Sequence, residues 1–165
     1  MNRNEFFEFL ARFAVRPIPA TLNRHVYLWV GEVDDLLSKS PTGLIKKLDL
    51  HVLCGSLNKN PSGDKAAGRE LSDAIDEWIF REFPANQRQR ALLVTGLDLL
   101  YRYRLPLSNF IRLANENAAI ILGLSALDAN FYPHKSLPNY IKFSPYAILK
   151  YVSLEISEEA IVNEE

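Results

Sequence analysis

Residues 91–100 read ALLVTGLDLL, and the fold of the whole chain is inferred from this stretch. Four apolar residues lead into Thr95 and Gly96, and a single acid, Asp98, follows. A short and continuously apolar run is typical of a strand that is buried on both faces of a parallel sheet. Such a strand carries the polar residues at its end to the edge of the sheet. We therefore predict a buried parallel strand over 91–95 that ends at Thr95, with Asp98 just beyond it.

Segments that resemble strands and helices alternate on both sides of this strand. Helices are predicted where apolar residues recur at helical spacing, and strands where short runs are rich in β-branched, aromatic or apolar residues. The further predicted strands are 25–31, 50–55, 118–123, 140–143 and 150–156, and the predicted helices are 4–14, 43–48, 69–83 and 106–116. The segment 32–40 fits a helix or a loop, and the polar, Gly- and Pro-containing segment 56–68 is expected to be a mobile loop. This alternation predicts an α/β fold with three layers: a parallel sheet of about five strands with helices on both faces.

Length and composition are those of one globular domain that spans 1–165. The chain has 48% hydrophobic and 24% charged residues and a formal net charge of -1, so its overall charge favours neither nucleic acid nor an acidic membrane. Cys54 is the only cysteine, which excludes an internal disulfide. The start of the chain lacks the apolar core of a signal peptide, and no apolar run reaches the roughly 20 residues that span a membrane. We therefore expect a cytoplasmic protein without a membrane segment.

The two ends of the chain have distinct characters. Residues 1–16 form a predicted amphipathic helix with Asn4 as its N-cap, and its apolar stripe consists of Phe6, Phe9, Leu10 and Phe13. This helix either packs on the domain or inserts into a partner, so Phe6, Phe9 and Phe13 are candidate interface residues. Residues 157–165, SEEAIVNEE, are expected to be an acidic and frayed tail.

Glycines mark the predicted ends of the four main strands. These ends are Gly31, Gly55, Thr95 with Gly96, and Gly123 with Ser125. Open parallel sheets bind ligands at the carboxyl ends of their strands, which makes this edge the candidate site. The alternative is turn chemistry alone, because glycine relieves strain where a chain turns sharply.

This layout resembles that of P-loop NTPases which have an extra strand between the two motif strands. The run 92–124 (LLVTGLDLLYRYRLPLSNFIRLANENAAIILGL) followed by 137–156 (LPNYIKFSPYAILKYVSLEI) is similar to the small P-loop family BrxF of the BREX phage-defence islands. In that family a motif strand ends in an acid, a short turn containing LL leads to a helix, the next strand is apolar, and an aromatic hairpin precedes the last strand. The similarity covers the last two thirds of the chain by order of elements. It implies a P-loop-like fold and work within a multi-protein antiviral assembly.

The residues needed for nucleotide hydrolysis are incomplete. A phosphate-binding loop has the spacing G-x-x-x-x-G-K-[ST], whereas the chain has three acids between Gly31 and the pair Lys39-Ser40. In a second fragment, Gly63-Asp64-Lys65-Ala66, an acid separates the glycine from the lysine and the hydroxyl is missing.

Thr95 occupies the position of the magnesium-binding acid, and Asp98 that of the acid which polarises water. A threonine hydroxyl lacks the negative charge that holds a hard dication. We therefore predict a degenerate nucleotide site that binds no cofactor. If the site were active, its residues would be Lys39, Lys65, Thr95 and Asp98.

A stretch that alternates aromatic and basic residues follows the strand predicted over 91–95. Tyr101, Arg102, Tyr103 and Arg104 suit a protein interface, a solvated surface or contacts with nucleic acid. No histidine pair has metal-ligand spacing, so no metal is predicted, and His51 is interpreted as a hydrogen-bonded core imidazole within its strand.

The function expected from these observations is that of a non-catalytic subunit, with protein partners and a possible homo-oligomeric state. The alternatives are a divergent ATPase of the same family and a small nucleic-acid-binding module.

Overall fold

A five-stranded sheet forms the centre of the protein in a computed structural model that describes residues 1–20, 24–57, 63–125 and 145–164. The strands are β1 (Val26–Val30), β2 (Ile45–Asp49), β3 (Arg90–Thr95), β4 (Ala118–Leu124) and β5 (Ile161–Val162). Their spatial order is β2-β3-β4-β1-β5, and each of the four pairings is parallel. The prediction of an α/β fold with a parallel sheet of about five strands is confirmed.

Helices connect these strands. They are α1 (Arg3–Phe13), α2 (Val33–Lys39), α3 (Leu50–Gly55), α4 (Asp64–Glu82), α5 (Leu97–Arg102), α6 (Ser108–Ile111) and α7 (Pro145–Ser153). The predicted helix over 106–116 is reduced to α6, and α5 was not predicted as a helix. Within the part of the chain that the structure describes, no helix combines the length and the apolar character needed to cross a membrane.

Alternate residues of the strands enter two separate core clusters, because successive side chains of a strand point to opposite faces. Leu92 and Val94 of β3 belong to a cluster that also contains buried residues of α3, α4, α5, α6 and α7. Ala91 and Leu93 belong to a second cluster, which is shared with α1 and with Leu36 of α2. All six residues of β3 are buried, as the continuously apolar stretch predicts.

The first helix is part of the second core cluster. Its N-cap is Asn2 and not Asn4, since the Asn2 side chain accepts a hydrogen bond from the Glu5 amide at 2.9 Å while the Glu5 carboxylate accepts one from the Asn2 amide at 3.1 Å. The predicted apolar stripe is confirmed, because Phe6, Phe9, Leu10 and Phe13 are all buried. The interpretation of Phe6, Phe9 and Phe13 as a docking surface is corrected by this burial: their rings form part of the core of the domain.

The segment 43–55 has the opposite secondary structure to the one predicted. Ile45–Asp49 is the edge strand β2, and Leu50–Gly55 is helix α3. The Asp49 carboxylate accepts hydrogen bonds from the amides of His51 at 3.0 Å and Val52 at 3.3 Å, so it caps the first turn of α3. Gly55 therefore ends a helix and not a strand, and β2 ends at Asp49.

The C-terminal region also differs from its prediction. Residues 150–153 belong to helix α7 and not to a strand, whereas the edge strand predicted over 140–143 lies outside the described residues. The acidic tail is ordered: a 3-10 turn over Glu158–Ala160 leads into β5, which pairs with β1.

The structure describes all of segment 32–40 and part of segment 56–68. Segment 32–40 contains helix α2. Residues 64–68, which were expected to belong to a mobile loop, form the first turns of α4, and residues 58–62 lie outside the described residues.

Candidate functional site at the carboxyl edge of the sheet

Parallel pairing brings the ends of the central strands to one edge. Val30 of β1 is level with Leu124 of β4, and Val94 of β3 is level with Leu122. Gly31, which follows β1, and Thr95, the last residue of β3, therefore share the edge at which open parallel sheets bind ligands. Gly123 lies within β4, so Ser125 is the first residue beyond that strand.

An arginine from the N-terminal helix occupies the end of β1. The Arg3 Nη2 atom donates a hydrogen bond to the carbonyl oxygen of Val30 at 3.0 Å, and the guanidinium lies 4.6 Å from the centroid of the Trp29 ring. A Cβ atom built on Gly31 would lie only 2.1 Å from Arg3 Nη2, so the arginine rests directly against this glycine. The surface of Gly31 is therefore partly covered by a side chain of the same chain.

The connection between β1 and α2 consists of only two residues, Gly31 and Glu32. A phosphate-binding loop needs about seven residues to place several backbone N–H groups around a phosphate before its lysine. Ser125 lies at the end of β4, and its hydroxyl donates to the Glu32 carboxylate at 3.2 Å. The end of β1 therefore carries one carboxylate, Glu32, and one guanidinium, Arg3, both from this chain.

The polar groups near the end of β3 are deeply buried. Asp98 is 1% exposed and accepts a hydrogen bond from Nε2 of His51 at 2.8 Å. His51 lies on α3 and not in a strand, but it is hydrogen-bonded, as the sequence suggested. The pair links the element after β2 to the element after β3. The Asp98 carboxylate therefore forms a hydrogen bond that joins α5 to α3.

Thr95 is also buried, and its hydroxyl oxygen has no hydrogen-bond partner among the described residues. Burying a hydroxyl without a partner costs about 1–3 kcal/mol. We therefore expect Thr95→Val, which replaces the hydroxyl with a methyl group, to leave the free energy of unfolding unchanged or to raise it by up to about 1 kcal/mol. Urea denaturation followed by circular dichroism measures this change.

Ser125→Ala is the matched comparison at the neighbouring strand end. Its hydroxyl does have a partner, Glu32, so we expect a loss of about 1 kcal/mol. A loss larger than this for Thr95→Val would show that the threonine hydroxyl has a partner in solution.

The two candidate lysines lie on different helices. Lys39 is the last residue of α2, with its Nζ atom 6.0 Å from the centroid of the Phe7 ring, and Lys65 is in the first turn of α4. Among the described residues, no hydrogen bond or ion pair joins either lysine to Thr95 or Asp98. Of the residues predicted for a residual nucleotide site, Thr95 and Asp98 lie together at the end of β3 and the start of α5, whereas Lys39 and Lys65 lie on α2 and α4.

The alternating aromatic and basic stretch is largely engaged within the domain. Arg102 forms an ion pair with Asp64 at 2.8 Å, which ties α5 to the start of α4. The ring of Tyr101 packs edge-on against that of Tyr151, with 5.3 Å between the centroids. Arg104 is exposed and has a positive φ of 53°.

The sequence did not predict the contacts that define this edge. Arg3, Glu32 and His51 carry no recognisable motif, and each meets its partner across a long sequence separation. The one local signal was Asp49 before an apolar run, which marks the start of a helix.

Among the described residues, no group of three or more His, Cys, Asp and Glu side chains is arranged to hold a metal ion. Comparisons of the chain with protein-family models, with curated proteins and with solved structures found no significant match.

Proposed function

We propose that this protein is a non-catalytic accessory subunit with a degenerate, three-layer P-loop-like fold, which works within a multi-protein phage-defence assembly of the BREX kind. The observation that carries the proposal is that side chains of this chain occupy the carboxyl edge of the sheet. Arg3 and the carboxylate of Glu32 lie at the end of β1, where a nucleotide-hydrolysing P-loop domain would hold the triphosphate.

The strand order supports the P-loop-like half of this proposal. β4 lies between β1 and β3 in the sheet. This is the arrangement expected of P-loop domains with an extra strand between the strand before the phosphate loop and the strand that carries the metal-binding acid. In this chain those two strands would be β1 and β3.

The lack of hydrolysis is supported by three separate features. The two-residue connection after β1 is too short for a phosphate loop, the position of the metal-binding acid is held by Thr95, and Asp98 is bonded to His51. Restoring activity would need changes at each of these places. A fold can outlast its site, so function must be argued from the site itself.

The protein is accordingly expected not to hydrolyse ATP in the presence of Mg²⁺. The rate of phosphate release from the wild-type chain should equal that of Asp98→Asn, since Asp98 holds the sequence position of the acid that polarises water and is instead hydrogen-bonded to His51. The control is Asp76→Asn, which removes the same charge from an exposed position of α4.

A wild-type rate that falls in Asp98→Asn but not in Asp76→Asn would contradict the proposal. It would instead favour the divergent ATPase that the sequence left as an alternative.

The assembly half of the proposal rests on the resemblance to BrxF, and a separate experiment tests it. We expect the chain to co-purify, in a defined ratio, with the product of a gene that neighbours its own when the two are expressed together. A chain that elutes alone, at the mass of a monomer, after co-expression with each neighbouring gene would contradict this half and leave the absence of hydrolysis unaffected.

A further inference from the structure

A cavity of about 600 Å³ lies beside the sheet edge, between the first turn of α4 and the end of α5. Its volume falls within the roughly 300–1,000 Å³ of small-molecule sites. The alternating aromatic and basic stretch forms one side, Lys65 contributes from α4, and Tyr151 contributes from α7. Three helices that are distant in sequence therefore build one concave surface.

The cavity carries a positive charge. Among the described residues that line it are three cations, Lys65, Arg102 and Arg104, and one carboxylate, Asp64, which together carry a formal charge of +2. Asp64 is paired with Arg102 at 2.8 Å, whereas Lys65 and Arg104 form no ion pair among the described residues. Both of these side chains belong to exposed residues, so they are accessible to an anion.

The same cavity has an aromatic wall. Tyr101 and Tyr151 pack edge to face, and the Tyr151 hydroxyl donates a hydrogen bond to the carbonyl oxygen of Leu105 at 2.9 Å, which holds its ring in place. Burial raises the pKa of Tyr103 to about 12, so this phenol adds no negative charge at neutral pH. Planar bases stack on tyrosine rings of this kind.

We propose that this cavity binds a nucleoside phosphate, with the base against Tyr101 and Tyr151 and the phosphate between Lys65 and Arg104. A planar aromatic group joined to an anion matches both properties of the cavity at once. The binding involves neither a metal nor hydrolysis, so it goes beyond the proposed function and does not depend on it. The nucleoside phosphate is either a free mononucleotide or a nucleotide of a single strand.

Isothermal titration calorimetry with two probes tests this site and separates the two sources. The probes are AMP and a 5′-phosphorylated oligothymidylate of about ten nucleotides, titrated without Mg²⁺ at about 50 mM salt. We expect at least one probe to bind with a dissociation constant below about 1 mM, and we expect the binding to weaken as salt is added. Binding of AMP identifies a free nucleotide, and binding of the oligonucleotide alone identifies a single strand.

The double variant Lys65→Gln/Arg104→Asn removes the phosphate contacts and should weaken binding about a hundredfold. Asparagine suits position 104, because it tolerates the left-handed backbone found there. The matched control, Lys47→Gln/Arg88→Gln, removes the same charge from two exposed residues away from this cavity. It should retain the wild-type affinity.

Three results would overturn the proposal. The first is that neither probe binds the wild-type chain at about 1 mM, the upper limit of the expected dissociation constant. The second is an equal loss in the two double variants, which would indicate general charge attraction. The third is binding of inorganic phosphate as tight as that of AMP, which would show that the aromatic wall contributes nothing; this comparison uses only the wild-type chain and does not depend on how the variants fold.

Discussion

Replacing Phe6 with alanine is expected to lower the free energy of unfolding by about 4 kcal/mol. Phe6 is fully buried, and its ring lies 5.0 Å from that of Tyr27 and 6.2 Å from that of Trp29, measured between centroids. The substitution removes this apolar contact and leaves a cavity between α1 and the sheet, which adds to the cost because a packed interior relaxes only partly. Urea denaturation followed by tryptophan fluorescence measures the shift in the midpoint.

Phe80→Ala is the matched control. Its side chain is 85% exposed on α4, so the same chemical change should alter the free energy of unfolding by no more than about 0.5 kcal/mol. If Phe6→Ala also proved neutral and instead abolished co-purification with a partner, α1 would be the docking helix that the sequence left as an alternative.

The burial of α1 has a consequence for truncation experiments. Removal of residues 1–16 would take away Phe6, Phe9, Leu10 and Phe13 together. Their combined contribution exceeds the roughly 5–15 kcal/mol by which a typical domain is stable, so we expect the shortened chain to be unfolded. Loss of a partner on such a deletion would therefore carry no information about docking.

The parts of the fold that could be predicted from the sequence have strong and uninterrupted patterns. The central strands β1, β3 and β4 are runs of five to seven residues, and nearly all of their residues are apolar, which few alternatives to a buried strand satisfy. Helices α1 and α4 show apolar residues at helical spacing over three turns or more. In these elements the local pattern and the tertiary burial favour the same structure.

The segments that were predicted wrongly are short, and their local pattern is ambiguous. Leu50–Gly55 is a run of six mostly apolar residues that suits a buried strand as well as a helix, and only the cap at Asp49 distinguishes the two. The two-residue strand β5 gives no pattern of its own, because its conformation is set by pairing with β1. A tertiary contact therefore sets the conformation of β5, whereas a local cap sets that of α3.

The position of the candidate site could be predicted from the sequence, but the contacts between its side chains could not. Parallel strands place their ends at one edge, so Thr95 and Asp98 were expected there. The contacts that fill the edge join residues 27, 47 and 93 positions apart: Arg3 with Val30, His51 with Asp98, and Glu32 with Ser125. Pairings of this range follow from packing, and a single sequence without a motif does not specify them.

A substitution in the C-terminal strand β5 is also expected to lower the free energy of unfolding strongly. Its effect tests whether the tail is ordered or frayed. Val162 is fully buried and is level with Trp29 of β1, and a parallel bridge between Asn2 and Asn163 ties the start of the chain to the same edge. Val162→Asp would bury a carboxylate without a partner in the core cluster that contains α1, so we expect a loss of about 4 kcal/mol in the free energy of unfolding.

Asn163→Asp is the control for this prediction, because it adds the same charge one residue further along, at an exposed position. It should change the free energy of unfolding by no more than about 0.5 kcal/mol. A frayed tail would tolerate both substitutions equally, because neither side chain would leave water on folding. Equal and small effects in urea denaturation would therefore contradict the pairing of β5 with β1, whereas a large effect at residue 162 alone requires that its side chain be enclosed by the sheet and the first helix.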